Sequence, residues 1–216
     1  MNAESPARVI WVADDGTGDY PSLSTALTAI DGSTLPAATA AEPYVIKIAP
    51  GTYTETEPVA LKTYVDVEGS GQNTTTINCA CSSNNFDASS AVISAGAITA
   101  EIRHLTINNT GGSNNYGFGV YTNGVADGSF SMLHVTATAT GSTGNYGVNN
   151  TSSSPSMNNV TATATGGTTG AGVYNSGSSS PSMNNVTATG EKIADNGLST
   201  AFGVYNISSS PSIRNS

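Results

Sequence analysis

Apolar and polar residues alternate in short runs along most of this chain, and the runs recur. In Val160-Thr161-Ala162-Thr163-Ala164-Thr165 the apolar side chains fall on one face of an extended strand and the threonines on the other, as a half-buried strand requires. The segment 155–163 returns unchanged at 181–189, a weaker copy occupies 132–138, and 102–107 is an earlier one. Val135, Val160 and Val186 are spaced 25 and 26 residues apart. A second marker keeps step: Gly119-Val120-Tyr121, Gly147-Val148-Asn149, Gly172-Val173-Tyr174 and Gly203-Val204-Tyr205. Gly, Asn, Ser and Pro fill the intervals, as turns demand. Such units, with short strands and no helical period, predict an all-β parallel solenoid with coils of about 25–31 residues. Val135, Val160 and Val186 then stack inside it, as do Met132, Met157 and Met183. Asn158 and Asn184 are expected in turns.

The first hundred residues read differently. A strand over 8–13 leads into the loop Asp14-Asp15-Gly16-Thr17-Gly18-Asp19. Leu23, Ala26, Leu27 and Ile30 then follow at helical spacing, with Pro21 near the first turn and Asp31-Gly32 at the end. Strands are expected at 44–48, 64–67, 75–78 and 91–94. A helix ahead of a solenoid covers the first coil, whose interior and strand edges would otherwise meet water. The expected organisation is one domain over 1–216: strand and capping α-helix in 1–43, early coils in 44–104, Thr/Asn/Ser-rich coils in 105–216. Residues 211–216 align with 181–186, so the chain stops where another coil begins. Further coils of a longer parent chain, or another copy, are the expected partners there.

Charge narrows the partners. Only 10% of the 216 residues are charged, against a usual ~25%. Six Lys and Arg face fifteen Asp and Glu, a net charge of −9. Nucleic acid is excluded, because phosphate binding draws on a basic surface that is missing. No apolar run approaches the ~20 residues of a spanning helix, so no membrane insertion is expected. From 129 to 190 there is no Asp, Glu, Lys or Arg. That composition alone suits disorder, but two markers held in phase over four units do not. Cys79-Ala80-Cys81 is the whole cysteine inventory, either two packed small residues or a local disulfide. Two ligands cannot close a zinc site, and neither metal nor cofactor is expected. His104 and His134 read as surface residues. The sequons at Asn73, Asn108, Asn149, Asn150, Asn159, Asn185 and Asn206 read as asparagine ladders.

Two stretches carry a resemblance. Val12-Ala13-Asp14-Asp15-Gly16-Thr17-Gly18-Asp19-Tyr20-Pro21-Ser22-Leu23 and Ile46-Lys47-Ile48-Ala49-Pro50-Gly51-Thr52-Tyr53-Thr54-Glu55 resemble the opening of the pectin methylesterase family. Val67-Glu68-Gly69-Ser70-Gly71 and Thr74-Thr75-Thr76-Ile77 continue it over roughly the first 80 residues. The resemblance implies a right-handed parallel β-helix of the pectin-lyase-like superfamily. Gly51, Tyr53 and Glu55 match the family's Gly-x-Tyr-x-Glu signature, which speaks for fold more than chemistry. The family's mechanism implies an Asp nucleophile, an Asp acid/base, a pair of Gln donors and an Arg. This chain has one Gln, Gln72, and the later signatures, Gln-Ala-Val-Ala-Leu and Gln-Asp-Thr-Leu among them, are missing.

The expected function is therefore non-catalytic: an extracellular or cell-surface repeat domain, structural, adhesin-like or glycan-contacting. Tyr121, Tyr174 and Tyr205 form a candidate ladder for sugar rings, which offer an apolar face to an aromatic one, so a polysaccharide is the candidate ligand. The alternative is a carbohydrate-active enzyme, pectinesterase-like or a polysaccharide lyase or hydrolase, if Asp66, Glu68, Glu101 and Asp127 converge. A third reading, ice binding, rests on a flat grid of outward threonines, with Thr136 and Thr138 over Thr161 and Thr163, then over Thr187 and Thr189.

Overall fold

The computed structural model describes residues 7–192 and 199–216. In chain order the elements are β1 (Arg8–Val12), α1 (Leu23–Ala29), β2 (Tyr44–Ile48), β3 (Gly51–Glu55), β4 (Val59–Ala60), β5 (Val65–Gly69) and β6 (Thr75–Cys79). A short 3-10 turn at Ala88–Ser90 precedes β7 (Ala91–Ala95), β8 (Ala100–Asn109), β9 (Tyr116–Asn123), β10 (Phe130–Ala139) and β11 (Gly144–Thr151). The chain closes with β12 (Ser156–Thr165), β13 (Thr169–Ser176), β14 (Ser182–Asn184), β15 (Thr187–Glu191), β16 (Thr200–Asn206) and β17 (Ser212–Arg214).

These strands wind a parallel β-solenoid of about six turns. One sheet runs β1-β2-β5-β8-β10-β12-β14-β17, with β3, β6 and β15 beside this path; the other runs β4-β7-β9-β11-β13-β16. Tyr44 pairs with Val65, Val67 with Ile102, Glu101 with Ser131, Ser131 with Ser156, Ser156 with Ser182 and Ser182 with Ser212, so the coils run 21, 35, 30, 25, 26 and 30 residues. That spread is wider than the repeat alone predicts, because the second coil carries the loop 80–90 and the first turns tightly through β3 and β4.

The predicted interior rows are present. Met132 pairs with Met157 and Met157 with Met183, all at most 1% exposed, and Val135 stacks on Val160. The left-handed position lies one residue beyond its expected place. Asn158 and Asn184 sit on strands, and the chain bends at Asn159 and Asn185 (φ 54° for both). His104 and His134 occupy the same corner in earlier coils, at φ 57° and 52°. Asn and His are among the residues that visit this region most readily. Each bend splits a ten-residue strand into two halves whose outward faces differ. At the opposite corner Thr122, Asn150 and Asn175 are buried and linked in a hydrogen-bonded chain that ends on the exposed Asn206. Thr122 Oγ1 donates to Asn150 Oδ1, Asn150 Nδ2 to Asn175 Oδ1, and Asn175 Nδ2 to Asn206 Oδ1, each at 2.8 Å. Pairing of this kind makes buried polar groups tolerable.

Helix α1 closes the first coil. Ser22 caps it in a reciprocal box with Thr25, and Leu23, Ala26 and Leu27 are buried in the same core as Ile46 and Val65.

Candidate functional site

The Gly-x-Tyr-x-Glu signature ties this cap to the first coil. Tyr53 is buried and its hydroxyl donates to Ala49 O at 3.0 Å. A Cβ on Gly51 would stand 3.3 Å from the Tyr53 ring and press on it. Glu55, 4% exposed, accepts from Ser24 N at 3.2 Å and from Ser24 Oγ at 2.5 Å, inside the first turn of α1. An acceptor with negative charge suits a helix N-terminus.

Three of the four candidate carboxylates converge, and they do so on one guanidinium. Arg103 Nη1 reaches Glu101 Oε1 at 2.7 Å and Asp66 Oδ2 at 3.8 Å, while Nη2 reaches Glu68 Oε2 at 2.8 Å. Lys47 Nζ adds a contact to Glu68 at 3.4 Å. Asp127 lies instead in the exposed turn after β9. Burial pushes the Asp66 carboxyl above its ordinary value, opposed by the Glu101 amide, which donates to it at 2.8 Å, and by Arg103. Burial would raise Glu68 as well, but the hydrogen bond and charge of Arg103, with Lys47, overcome it and hold that carboxyl low. The cluster lies on the outward face of β2, β5 and β8.

Past the left-handed corner, the same sheet shows threonine. Thr52, Thr76, Thr106, Thr136, Thr161 and Thr187 pair successively in one file. A second holds Thr54, Asn78, Asn108, Thr138, Thr163 and Thr189. The expected register thus holds, and extends three strands earlier, through β8, β6 and β3. Cys79 and Cys81, at the end of β6, are joined in a buried disulfide.

The second sheet carries the aromatic residues. Tyr121, Asn149, Tyr174 and Tyr205 form one file, and Phe118, Tyr146, Ala171 and Phe202 another. Both face away from the core because the strands pinch at the glycine marker. A Cβ on Gly147 would lie 2.6 Å from Thr163 N on the opposite sheet, and one on Gly172 would lie 2.4 Å from Thr189 N. The valine that follows each glycine enters the core, while the flanking aromatics gather outside. Phe86, from the loop before β7, lies edge-on to Tyr116, Phe118, Tyr146 and Tyr174 at centroid distances of 4.9–5.4 Å. Asn109 Nδ2 holds that loop, donating to Cys81 O, Ser90 O and Phe118 O at 2.7–3.0 Å.

The three tyrosines named from sequence therefore differ. Tyr121 is 5% exposed under this cover, Tyr174 is half-buried, and Tyr205 stands 36% exposed beside Phe202 at 38%. Tyr174 and Tyr205 are neighbours at 5.6 Å, and Phe202 stacks on Tyr205 at 4.5 Å. Asn149 interrupts the file; it is fully buried, and among the described residues its Nδ2 has no hydrogen-bond partner. Burial raises the Tyr121, Tyr146 and Tyr174 hydroxyls above their ordinary value. Sequence reasoning missed Phe86, Phe118, Tyr146 and Phe202. The signal for the last three was an aromatic immediately before the marker glycine, as in Phe118-Gly119, Tyr146-Gly147 and Phe202-Gly203. Among the described residues no group of three or more His, Cys, Asp or Glu is placed to hold a metal, and no helix is long and apolar enough to cross a membrane.

A helix-capped parallel solenoid with a Gly-x-Tyr-x-Glu tie and long outward side-chain files defines the class. The chain belongs to the pectinesterase family, whose model matches residues 9–130, more than half of it. The match runs from β1 to the start of β10, beyond the 80 residues in which motifs are readable. Among solved structures, a pectin methylesterase from carrot is similar at 18% identity and TM-score 0.52, over 82% of this chain and 51% of that one. A mutant pectin methylesterase in complex with a hexasaccharide is similar at 14% and TM-score 0.49, over 81% and 55%. One from Erwinia chrysanthemi gives 14% and 0.40, over 90% and 68%. The chain spans about half the length of the first two. No curated protein matches it.

Proposed function

We propose that this chain is a non-catalytic, extracellular member of the pectinesterase family that contacts a pectin-like polysaccharide through the aromatic face of its second sheet. The observation that carries this reading is the outward cluster of Tyr174, Phe202 and Tyr205, in which the Tyr205 ring contacts both others and at least part of each ring is accessible to a ligand. Sugar rings stack on such surfaces, and tyrosine adds a polar tip. Family membership makes a polyuronate the first polymer to try. Solenoid strands hold the rings at fixed spacing, which lowers the ordering cost of binding.

A catalytic reading has one observation in its favour, the convergence of Asp66, Glu68 and Glu101. Their shared guanidinium speaks against it. Glu68 and Glu101 each spend an oxygen on Arg103 at 2.7–2.8 Å, and the second Glu101 oxygen accepts from Ser131 Oγ at 2.8 Å. Such carboxylates are poor nucleophiles and poor bases.

The test measures polygalacturonate and methyl-esterified pectin binding together with methanol release. Binding is expected without turnover, weakened at least tenfold by Tyr174→Ala with Tyr205→Ala. Turnover abolished by Asp66→Asn would overturn the non-catalytic reading, and binding indifferent to the tyrosine pair would overturn the aromatic one.

A further inference from the structure

We infer that the two threonine files on the first sheet form an ice-binding face. Across twelve outward positions on six strands, every side chain is Thr except Asn78 and Asn108. Parallel pairing sets these groups roughly 4.8 Å apart between strands and about 6.8 Å apart along them. The result is a lattice of hydroxyls and methyls that repeats in two dimensions, as the oxygen atoms of an ice face do.

β-Propensity favours threonine in any exposed strand, but it does not account for this placement. The outward files on the other side of the left-handed corner belong to the same sheet. They hold Ser131, Ser156, Ser182 and Ser212, with Asn158 and Asn184 beside them. Threonine fills two adjacent files past the corner, with Thr165 of β12 next to them, paired with Glu191 of β15. Side-chain hydrogen bonds run along the asparagine files, and within the threonine face they link Asn108 Nδ2 to Asn78 Oδ1 at 3.1 Å and Thr138 Oγ1 to Asn108 Oδ1 at 2.6 Å. Asn184 Nδ2 donates to Asn158 Oδ1 at 3.2 Å, and Asn185 Nδ2 donates to Asn159 Oδ1. Among the described residues, the Oγ1 atoms of Thr161, Thr163, Thr187 and Thr189 make no such bond to the protein, and their demand for partners is directed outward. No charged residue occupies any of the twelve positions, although the chain carries a net charge of −9 and the neighbouring files hold Lys47, Asp66, Glu68, Glu101 and Arg103. Charges organise water around themselves; a neutral array of methyls with anchoring hydroxyls leaves it free to adopt the lattice of a crystal.

Two features set the extent of the face, the asparagine ladder on the second file and Gln72 on the first. Gln72 lies across the first file, its carbonyl accepting from Thr106 Oγ1 and its Nε2 donating to Thr136 Oγ1 at 3.3 Å. The unobstructed patch therefore centres on Thr161 and Thr163.

Partition of the purified chain into slowly growing ice, with thermal hysteresis measured alongside, tests this. The chain is expected to enter the ice and to show hysteresis. Thr161→Tyr with Thr163→Tyr should abolish both, and Ser156→Tyr, on the serine file, should leave both intact. Thr161→Val with Thr163→Val keeps shape and strand propensity and removes only the hydroxyls; it should reduce partition several-fold with unchanged circular dichroism. Exclusion of the parent chain from ice, equal loss in Ser156→Tyr, or full partition by both threonine variants overturns the inference.

Discussion

Arg103 brings two carboxyls with opposite leanings under one guanidinium. Asp66 is held above its ordinary value, chiefly by burial, and Glu68 below it because Arg103 and Lys47 outweigh burial. Aspartate normally titrates below glutamate, near 3.9 against about 4.3; here that gap is expected to close or reverse. The linked stabilities have opposite signs. The Asp66 contribution is complete below its unfolded pKa and is lost as pH rises through its raised folded value. That of Glu68 is complete above its unfolded pKa and is lost as pH falls through its lowered folded value. Carboxyl NMR titration checks this residue by residue. In Arg103→Gln both midpoints should move up, because that change removes the positive charge both share. A Glu68 midpoint unchanged by the substitution would mean that Arg103 is not what holds it down.

Element by element, the contact on which the cap depends is Glu55 against the first turn of α1. Replacing it with Ala leaves Ser24 N and Oγ without their buried acceptor, a cost of about 2 kcal/mol for bonds to a charged group. At ~2–4 °C per kcal/mol for a domain of this size, Glu55→Ala should melt several degrees lower. Glu55→Gln keeps an acceptor and should lose less. Equal melting of Glu55→Ala and the parent chain would show that helix and coil dock without this tie. The strands with strict alternation were legible from sequence: β2 lies where expected, and β1, β5, β6 and β7 within a residue or two. So was the interior stacking of valine and methionine. β3 was not, because its inward positions are Gly51, Tyr53 and Glu55, and a buried glutamate contradicts an apolar pattern until its partner on α1 is seen. The aromatic face was legible only in part. Alternation places Tyr121 outward, but the pinch at Gly119 is a contact between sheets, and the cover by Phe86 comes from a loop of unrelated sequence. The convergence on Arg103 joins residues 35 apart across two coils, a distance set by coil length, which varies too widely here to be read from a repeat.

At the scale of the whole solenoid, each coil rests only on its neighbours, so stability is a sum over coils and interfaces. The coils are not equal. The inward side chains of β8, β10 and β12 are almost completely buried, and polar chains such as Thr122–Asn150–Asn175 run behind them. In β16 and β17 most side chains are exposed, with Phe202 at 38% and Ile213 at 46%. Local opening should follow this gradient, because the free energy of opening tracks buried contacts. Native-state hydrogen exchange is expected to show strongest protection in β8, β10 and β12, less in β13 and β15, and least in β16 and β17. A tenfold step in protection corresponds to about 1.4 kcal/mol, so a difference of two or three decades between β10 and β17 is the expected scale. The aromatic and threonine surfaces then fall on different parts of the gradient. The centre of the threonine lattice lies on β12, among the firmest strands, whereas Phe202 and Tyr205 lie on the most open one. A ligand stacked on those rings should raise protection in β16 by the free energy of its binding to the closed form and leave β10 unchanged. Uniform protection from β8 to β17 would instead mean that the coils open as a single unit, and that neither surface can be loaded without drawing on the stability of the whole.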